Sequence, residues 1–371
     1  MRVLLVSANF RPSVGGIERF VEILAGGLAE RRHEVTVATC HHRGGPREEQ
    51  SGGVRIVRIP ASDVLRTRLG VPYPVPWPPA LVRTLRALIG EAEVVHAQDG
   101  LYATTVAALR LARRRRVPTV LTQHVAFVPQ ANAFLDRAQR LAIRAVGPTV
   151  RLAGEVTSYN PSVAEWARRT WNLGDVRLLP VGVPATDVPA EERRGARRQL
   201  GLAEDAFVAL FTGRDVPKKR LDVFLAAGDP AYELVAVTDR ERDHGSRARL
   251  VPFMAPERFS RLLAAADAFV LPSQAEGFPL ALQEALVAGI PCVVTREPGY
   301  ERFVQDGDVV FVPPEPDAIR AALRRLASDP GERAALAEAA RQAGARRFDV
   351  DAFVEAYERL YDEQRISPAQ T

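Results

Sequence analysis

The stretch VLPSQAEGFPLALQEALVAGIPCVV, residues 270–294, carries the architecture in miniature. It begins as an apolar strand-like run, breaks at Pro272-Ser273, and resumes after Pro279 as an apolar helical segment, LALQEALVAGI. A second β-branched run follows at 292–294. Strand, helix and strand within so few residues form the pattern of a parallel βαβ unit, whose strands are covered on both faces and therefore read as near-continuous hydrophobic runs.

The same alternation extends outward to both ends of the chain. In the first half it predicts strands near 3–6, 35–38, 54–57, 94–97, 119–122, 156–157 and 177–179, with helices between them. The first helix opens at Gly16 and shows an apolar stripe at Phe20, Leu24 and Leu28. Around Pro180 the periodicity stops. Pro184, Pro189 and the charged EERRGARRQL (191–200) read as a linker into a weak helix. A second series then runs through 206–211, 234–237, 249–251, 269–271, 292–294 and 309–312, closing with helices after Pro316 and Pro330. The expected fold class is α/β, with two doubly wound parallel-sheet domains over 1–183 and 184–347. A last amphipathic helix within 348–371 is expected to cross back to the first domain.

With 371 residues, 47% apolar and 26% charged, the chain can bury two full cores and is no candidate for a disordered, collagen-like or coiled-coil protein. No apolar run approaches the ~20 residues of a membrane span. The start, RVLLVSA, reads as a first buried strand rather than a signal peptide, because it leads into Pro12 and Gly15-Gly16. Cys40 and Cys292 form no framework or metal motif, and the Cys40-His41-His42 trio cannot converge on one ion, so a reducing cytoplasm and no metal are expected.

The net charge of +5 fits a phosphate-bearing partner or an anionic membrane surface. The proline-rich VPYPVPWPPA (71–80), with Tyr73 and Trp77, and the arginine run 113–116 suit such a surface. The plainer expectation is a packed connection and a solvated helix end. The arginines follow no RNA-binding motif, which argues against a nucleic-acid partner.

Only two of the 50 basic residues are lysine, Lys218 and Lys219, side by side in GRDVPKK (213–219). A compact ammonium meets phosphate oxygens as a point charge, in a way a planar guanidinium does not. In open α/β sheets ligands lie beyond the carboxyl ends of the strands. Arg214 and Lys219 follow one such strand and suit a diphosphate. Gly15-Gly16 follows another and opens a helix, where bare N–H groups favour an anion. The spacing is not G-x-G-x-x-G, which counts against a nicotinamide dehydrogenase. His96 and His124 each end a strand and could donate to a sugar hydroxyl. Glu276-Gly277 lies in the loop of the opening stretch, and Glu284 sits in an otherwise apolar helix, where a carboxylate needs a partner such as a ribose diol or an arginine.

GGIERF (15–20), RRHEVTVAT (31–39), LPVGVPATDVP (179–189), GRDVPKK and the pair Glu276 and Glu284 inside the opening stretch together resemble the retaining glycosyltransferases of family 4. The resemblance covers nearly the whole chain and implies a GT-B fold, two Rossmann-like domains with a cleft between them. It implies transfer of a sugar from a nucleoside-diphosphate donor to a glycan, lipid-linked or small-molecule acceptor, with neither cofactor nor metal. Carried over, it makes Arg214 and Lys219 the neutralisers of the donor diphosphate. Glu276 would hold the donor sugar beside Gly277 and Phe278, and Glu284 would take the ribose hydroxyls. His124 would contact the transferred sugar, and Gly15-Gly16 would close under the diphosphate. Glu276, His124, Arg214 and Lys219 are then the catalytic set, in a cytoplasmic enzyme with a peripheral place at the inner membrane face if its acceptor is a lipid. The alternatives are a nucleotide-sugar 2-epimerase of the same fold and a non-catalytic basic binding protein.

Overall fold

The computed structural model describes residues 1–41, 45–69, 74–127, 133–185, 188–240, 248–274, 279–297, 300–301 and 303–366. The chain divides into two units, one of Met1–Val181 with Val350–Thr371, the other of Gly182–Asp349.

In the first unit the strands are β1 (Arg2–Val6), β2 (Glu34–His41), β3 (Glu48–Ser51), β4 (Val54–Ser62), β5 (Val75–Pro76), β6 (Val94–Gln98), β7 (Thr119–Thr122), β8 (Glu155–Ser158) and β9 (Arg177–Leu178). Their order is β3-β4-β2-β1-β6-β7-β8-β9, with β5 on β4. All pairings are parallel except those of β3 and β5 to β4. Central strands are apolar because both faces are covered; Leu5, Val37 and Val95 are shut off from solvent. The helices are α1 (Gly16–Glu30), α2 (Val64–Leu69), α3 (Pro78–Glu91), α4 (Ala103–Arg115), α5 (Ala133–Val150) and α6 (Pro161–Trp171). Leu85, Leu109, Ile143, Ala167 and Trp171 join α3, α4, α5 and α6 in one apolar cluster against the sheet.

Two sequence expectations change here. The edge strand β3 was not visible, being too polar (EEQS) to show a buried face. The proline-rich segment, read as a packed connection, instead pairs Val75 and Pro76 with β4 and then opens α3, leaving Trp77 64% exposed. Proline at the first helical position costs no hydrogen bond, which is why the helix can begin inside that run.

The second unit contains α7 (Ala190–Gln199), β10 (Val208–Thr212), a 3₁₀ turn (Pro217–Lys219), α8 (Leu221–Ala226), β11 (Glu233–Val237), β12 (Arg249–Val251), α9 (Pro256–Ala264) and β13 (Ala268–Leu271). It continues through α10 (Leu280–Val287), β14 (Cys292–Thr295), β15 (Val310–Val312), α11 (Pro316–Ser328) and α12 (Pro330–Arg347). The sheet is wholly parallel, in the order β12-β11-β10-β13-β14-β15. The helix expected to be weak, α7, is pinned by Arg197. That guanidinium is 3% exposed and donates to the carbonyls of Ala265 (3.0 Å), Glu204 (2.7 Å) and Ala206 (2.8 Å) and to Asp267 (2.6 Å).

After α12 the chain re-enters the first unit as α13 (Val350–Ile366), with Phe353, Tyr357 and Tyr361 buried. It crosses α1 at Gly27, where a side chain would strike Val354. Glu358 of α13 accepts from Arg31 (2.8 Å) and bonds the His33 ring (2.6 Å). No helix among the described residues is long and apolar enough to cross a membrane.

Candidate active site

Each sheet reverses its strand order once, between β1 and β6 in the first unit and between β10 and β13 in the second. A doubly wound sheet opens a crevice at that reversal, because neighbouring connections leave to opposite faces. Gly15 and Gly16 lie where the chain leaves β1, and Arg214 and Lys219 where it leaves β10, each beside one of these points.

In the first unit Gly15 caps α1 in extended conformation without a side-chain hydrogen bond. The Glu18 carboxylate folds back against it, so a Cβ at residue 15 would collide with that side chain. A carboxylate in the first turn is stabilised by the positive end of the helix. One turn on, Phe20 packs edge-on against His124, with ring centroids 4.7 Å apart. The loop after β7 is tied to the loop after β6: His124 N–H donates to Asp99 (2.9 Å), Gly100 N–H donates to Gln123 (3.0 Å), and the His124 ring Nε2 bonds Gln98 Oε1 (2.8 Å). His124 thus packs on Phe20 of the helix that Gly15-Gly16 opens.

His124 is buried, and burial pushes its pKa down to about 3, so it is neutral at pH 7. With Nε2 bonded to Gln98, Nδ1 is buried without a partner. The Gln98 amide nitrogen beside the ring is likewise buried without a partner, so one ring nitrogen of His124 is left unspent by the fold. Asp99 had no assigned role. It stands at φ +51°, a left-handed conformation that aspartate tolerates, and its pKa is raised to about 7. Burial is the main cause, opposed by the backbone donors of His124 and Val125 and reinforced by Glu18. The only early signal was the sequence HAQDG, an aspartate between a strand end and a glycine.

His96 does not face the crevice. Its Nδ1 bonds Tyr361 (2.7 Å) and its Nε2 bonds Thr122 (2.7 Å), with Thr157 and Tyr357 completing a buried network. Both ring nitrogens are spent inside the fold, one on Tyr361 of α13 and the other on Thr122 of β7, so no ligand role remains.

In the second unit the chain leaves β10 at Gly213, and the Lys219 side chain lies across that glycine, its Cδ only 3.2 Å from where a Cβ would stand. Arg214 is exposed at the same strand end. The loop after β13 is locked to this turn: Gln274 N–H donates to the Lys218 carbonyl (2.8 Å), and Arg220 donates to the Gln274 side chain (3.0 Å). Arg220 adopts φ +51° to allow this. Ser273, which had been given no role, is fully buried with its hydroxyl unpartnered at the end of β13. Glu284 is half-buried on α10. Helix α10 is held close to α12 at Gly344, where a Cβ would meet the Val287 backbone N at 2.7 Å. Glu276, Gly277 and Phe278 lie outside the described residues.

Two doubly wound units, each with one reversal of strand order, match solved glycosyltransferases of GT-B fold along nearly the whole chain. Residues 14–187 match Glycosyltransferase Family 4, and residues 239–343 match Glycosyl transferases group 1. The chain belongs to this glycosyltransferase family. It is 32% identical over 288 residues to D-inositol 3-phosphate glycosyltransferase of Thermomonospora curvata, covering 66% of this chain and 67% of that one. It is 27% identical over 375 residues to the GDP-mannose-dependent alpha-(1-6)-phosphatidylinositol monomannoside mannosyltransferase of Mycolicibacterium smegmatis, covering 91% and 92%. Among solved structures it resembles sucrose-phosphate synthase from Thermosynechococcus elongatus, with a TM-score of 0.79, 22% identity and 99% of each chain covered.

Proposed function

We propose that this glycosyltransferase is a retaining, metal-independent enzyme that takes its sugar from a nucleoside-diphosphate sugar bound at the reversal point of the second sheet, the nucleoside diphosphate being the leaving group. The observation that carries the proposal is the turn 213–220. It places Arg214 and Lys219 at the carboxyl end of β10 and is locked through Lys218 and Arg220 to Gln274 beside Ser273. In this reading the two cations meet the diphosphate oxygen that gains negative charge as the sugar leaves.

Glycosyl transfer builds positive charge at the sugar while the leaving phosphate becomes more negative. Fixed cations aimed at that phosphate act chiefly in the transition state and can replace a metal. In this reading Glu276, with Gly277 and Phe278, positions the donor sugar, and Glu284 holds the ribose hydroxyls. Gly15-Gly16 closes against the diphosphate, and His124 contacts the transferred sugar. The acceptor is a glycan, a small molecule or a lipid-linked sugar, and the last of these would place the enzyme at the inner membrane face.

Calorimetric titration of UDP, GDP, ADP and dTDP with chelator present tests the site before any acceptor is known. One nucleoside diphosphate should bind without metal, and binding should be lost in Lys219→Ala. Binding of none, or only with added divalent metal, would refute the proposal. Release of an altered free nucleotide sugar without any acceptor would reassign the site to an epimerase.

A further inference from the structure

The outward stripe of α3 does not resemble the rest of the surface. Trp77, 64% exposed, stands at the head of the helix on a pinned backbone: its N–H donates to Pro60 O (2.8 Å), and the two preceding residues pair with β4. Val82 follows one turn later at 37% exposure, and then Arg83 and Arg86. Next to Trp77 in sequence, Pro78 and Pro79 line with Val82, Arg83, Arg86 and Ala87 an open groove of about 700 Å³, walled on its far side by Arg115 of α4, which reaches over Gly90.

Arg83, Arg86 and Arg115 have no carboxylate partner among the described residues, although ion pairs are common elsewhere on this molecule. The stripe carries no acid until Glu91, which faces Arg55. Leaving an indole in water on a fixed backbone forgoes its burial, and leaving three neighbouring guanidiniums unpaired costs repulsion. Both are relieved by a partner that is apolar within and anionic at its surface. Nucleic acid would satisfy the arginines, but a lone indole offers no row of aromatics for stacking bases.

We infer that the outer face of α3 docks the first unit on an anionic phospholipid bilayer, with Trp77 and Val82 seated at the headgroup boundary and Arg83, Arg86 and Arg115 on lipid phosphates. The inference does not depend on the donor site, since binding to lipid needs neither nucleotide nor acceptor.

Co-sedimentation of the full chain with vesicles of phosphatidylglycerol and phosphatidylcholine, compared with phosphatidylcholine alone, tests it. Binding should require the anionic lipid, weaken in high salt, and fall about tenfold in Arg86→Glu. The charge-matched Arg258→Glu, exposed on α9 of the other unit, should bind as the parent does. Of the three tryptophans Trp171 is fully buried and Trp166 half-buried, so a blue shift of emission on adding vesicles reports Trp77 and should vanish in Trp77→Ser. Equal losses in Arg86→Glu and Arg258→Glu would reduce the effect to net charge and overturn the assignment. So would the absence of a blue shift, or retention on RNA with no vesicle binding. Unchanged melting temperatures in the variants exclude misfolding as the cause of any loss.

Discussion

At the scale of single residues, the cations of the turn 213–220 were legible because lysine is so scarce in this chain that its position drew attention. Arg214→Ala and Lys219→Ala should each lower kcat about 10²–10³-fold with the melting temperature unchanged, measured as sugar transfer once the donor is known. A turnover within a few-fold of the parent would remove the residue from the proposed site. His96 and His124 looked alike in sequence, each closing a strand, and only tertiary packing separates them. One is enclosed by Tyr361 and Thr122, whereas the other keeps a ring nitrogen unpartnered. The same burial gives a pH prediction. Both histidines drop from 6.5 to about 3 on folding, so between those values the unfolded chain holds two protons that the native chain does not. Asp99 rises from 3.8 to about 7 and holds one proton in the native chain only. Stability rises with pH wherever the unfolded state binds more protons, so acidification from pH 6.5 toward 4 should destabilise the first unit with a net slope of about one proton. Asp99→Asn removes the opposing proton and should roughly double that slope, measured by urea unfolding across the window. An unaltered slope would mean that Asp99 is ionised in the folded protein.

At the scale of elements, the buried strands and the helix stripes were readable from hydrophobic period, because covering both sheet faces leaves no polar alternation to confuse it. Segments whose stability comes from one distant contact were not. β3 is an edge strand of polar residues, and α7 depends on a single buried arginine that sequence presents as one charge among many. The crossing of α1 and α13 is set by Gly27, with no space for a larger residue beside Val354. Gly27→Ala should cost about 1–3 kcal/mol by overpacking, and Val354→Ala added to it should recover part of that loss. Additive losses in the double mutant would show that the two do not touch. Tyr361→Phe should also cost about 1–3 kcal/mol, because it strands His96 Nδ1 in the interior.

At the scale of the whole molecule, two parallel sheets with one strand-order reversal each were implied by two alternating series separated by prolines. Which loops meet at each reversal was not, since strand order is a property of long-range pairing. The chain also returns to where it started: the second unit is a continuous insertion, and the first is closed only by its last helix. During synthesis on a ribosome the order of completion is therefore inverted. The second unit, continuous in sequence, can finish folding while the first still lacks α13 and leaves Phe20, His96 and Thr122 uncovered. Nascent chains arrested shortly after residue 349 has emerged should show the second unit resistant to protease and the first still cleaved, so the half made earliest waits longest and is the one in need of chaperone cover.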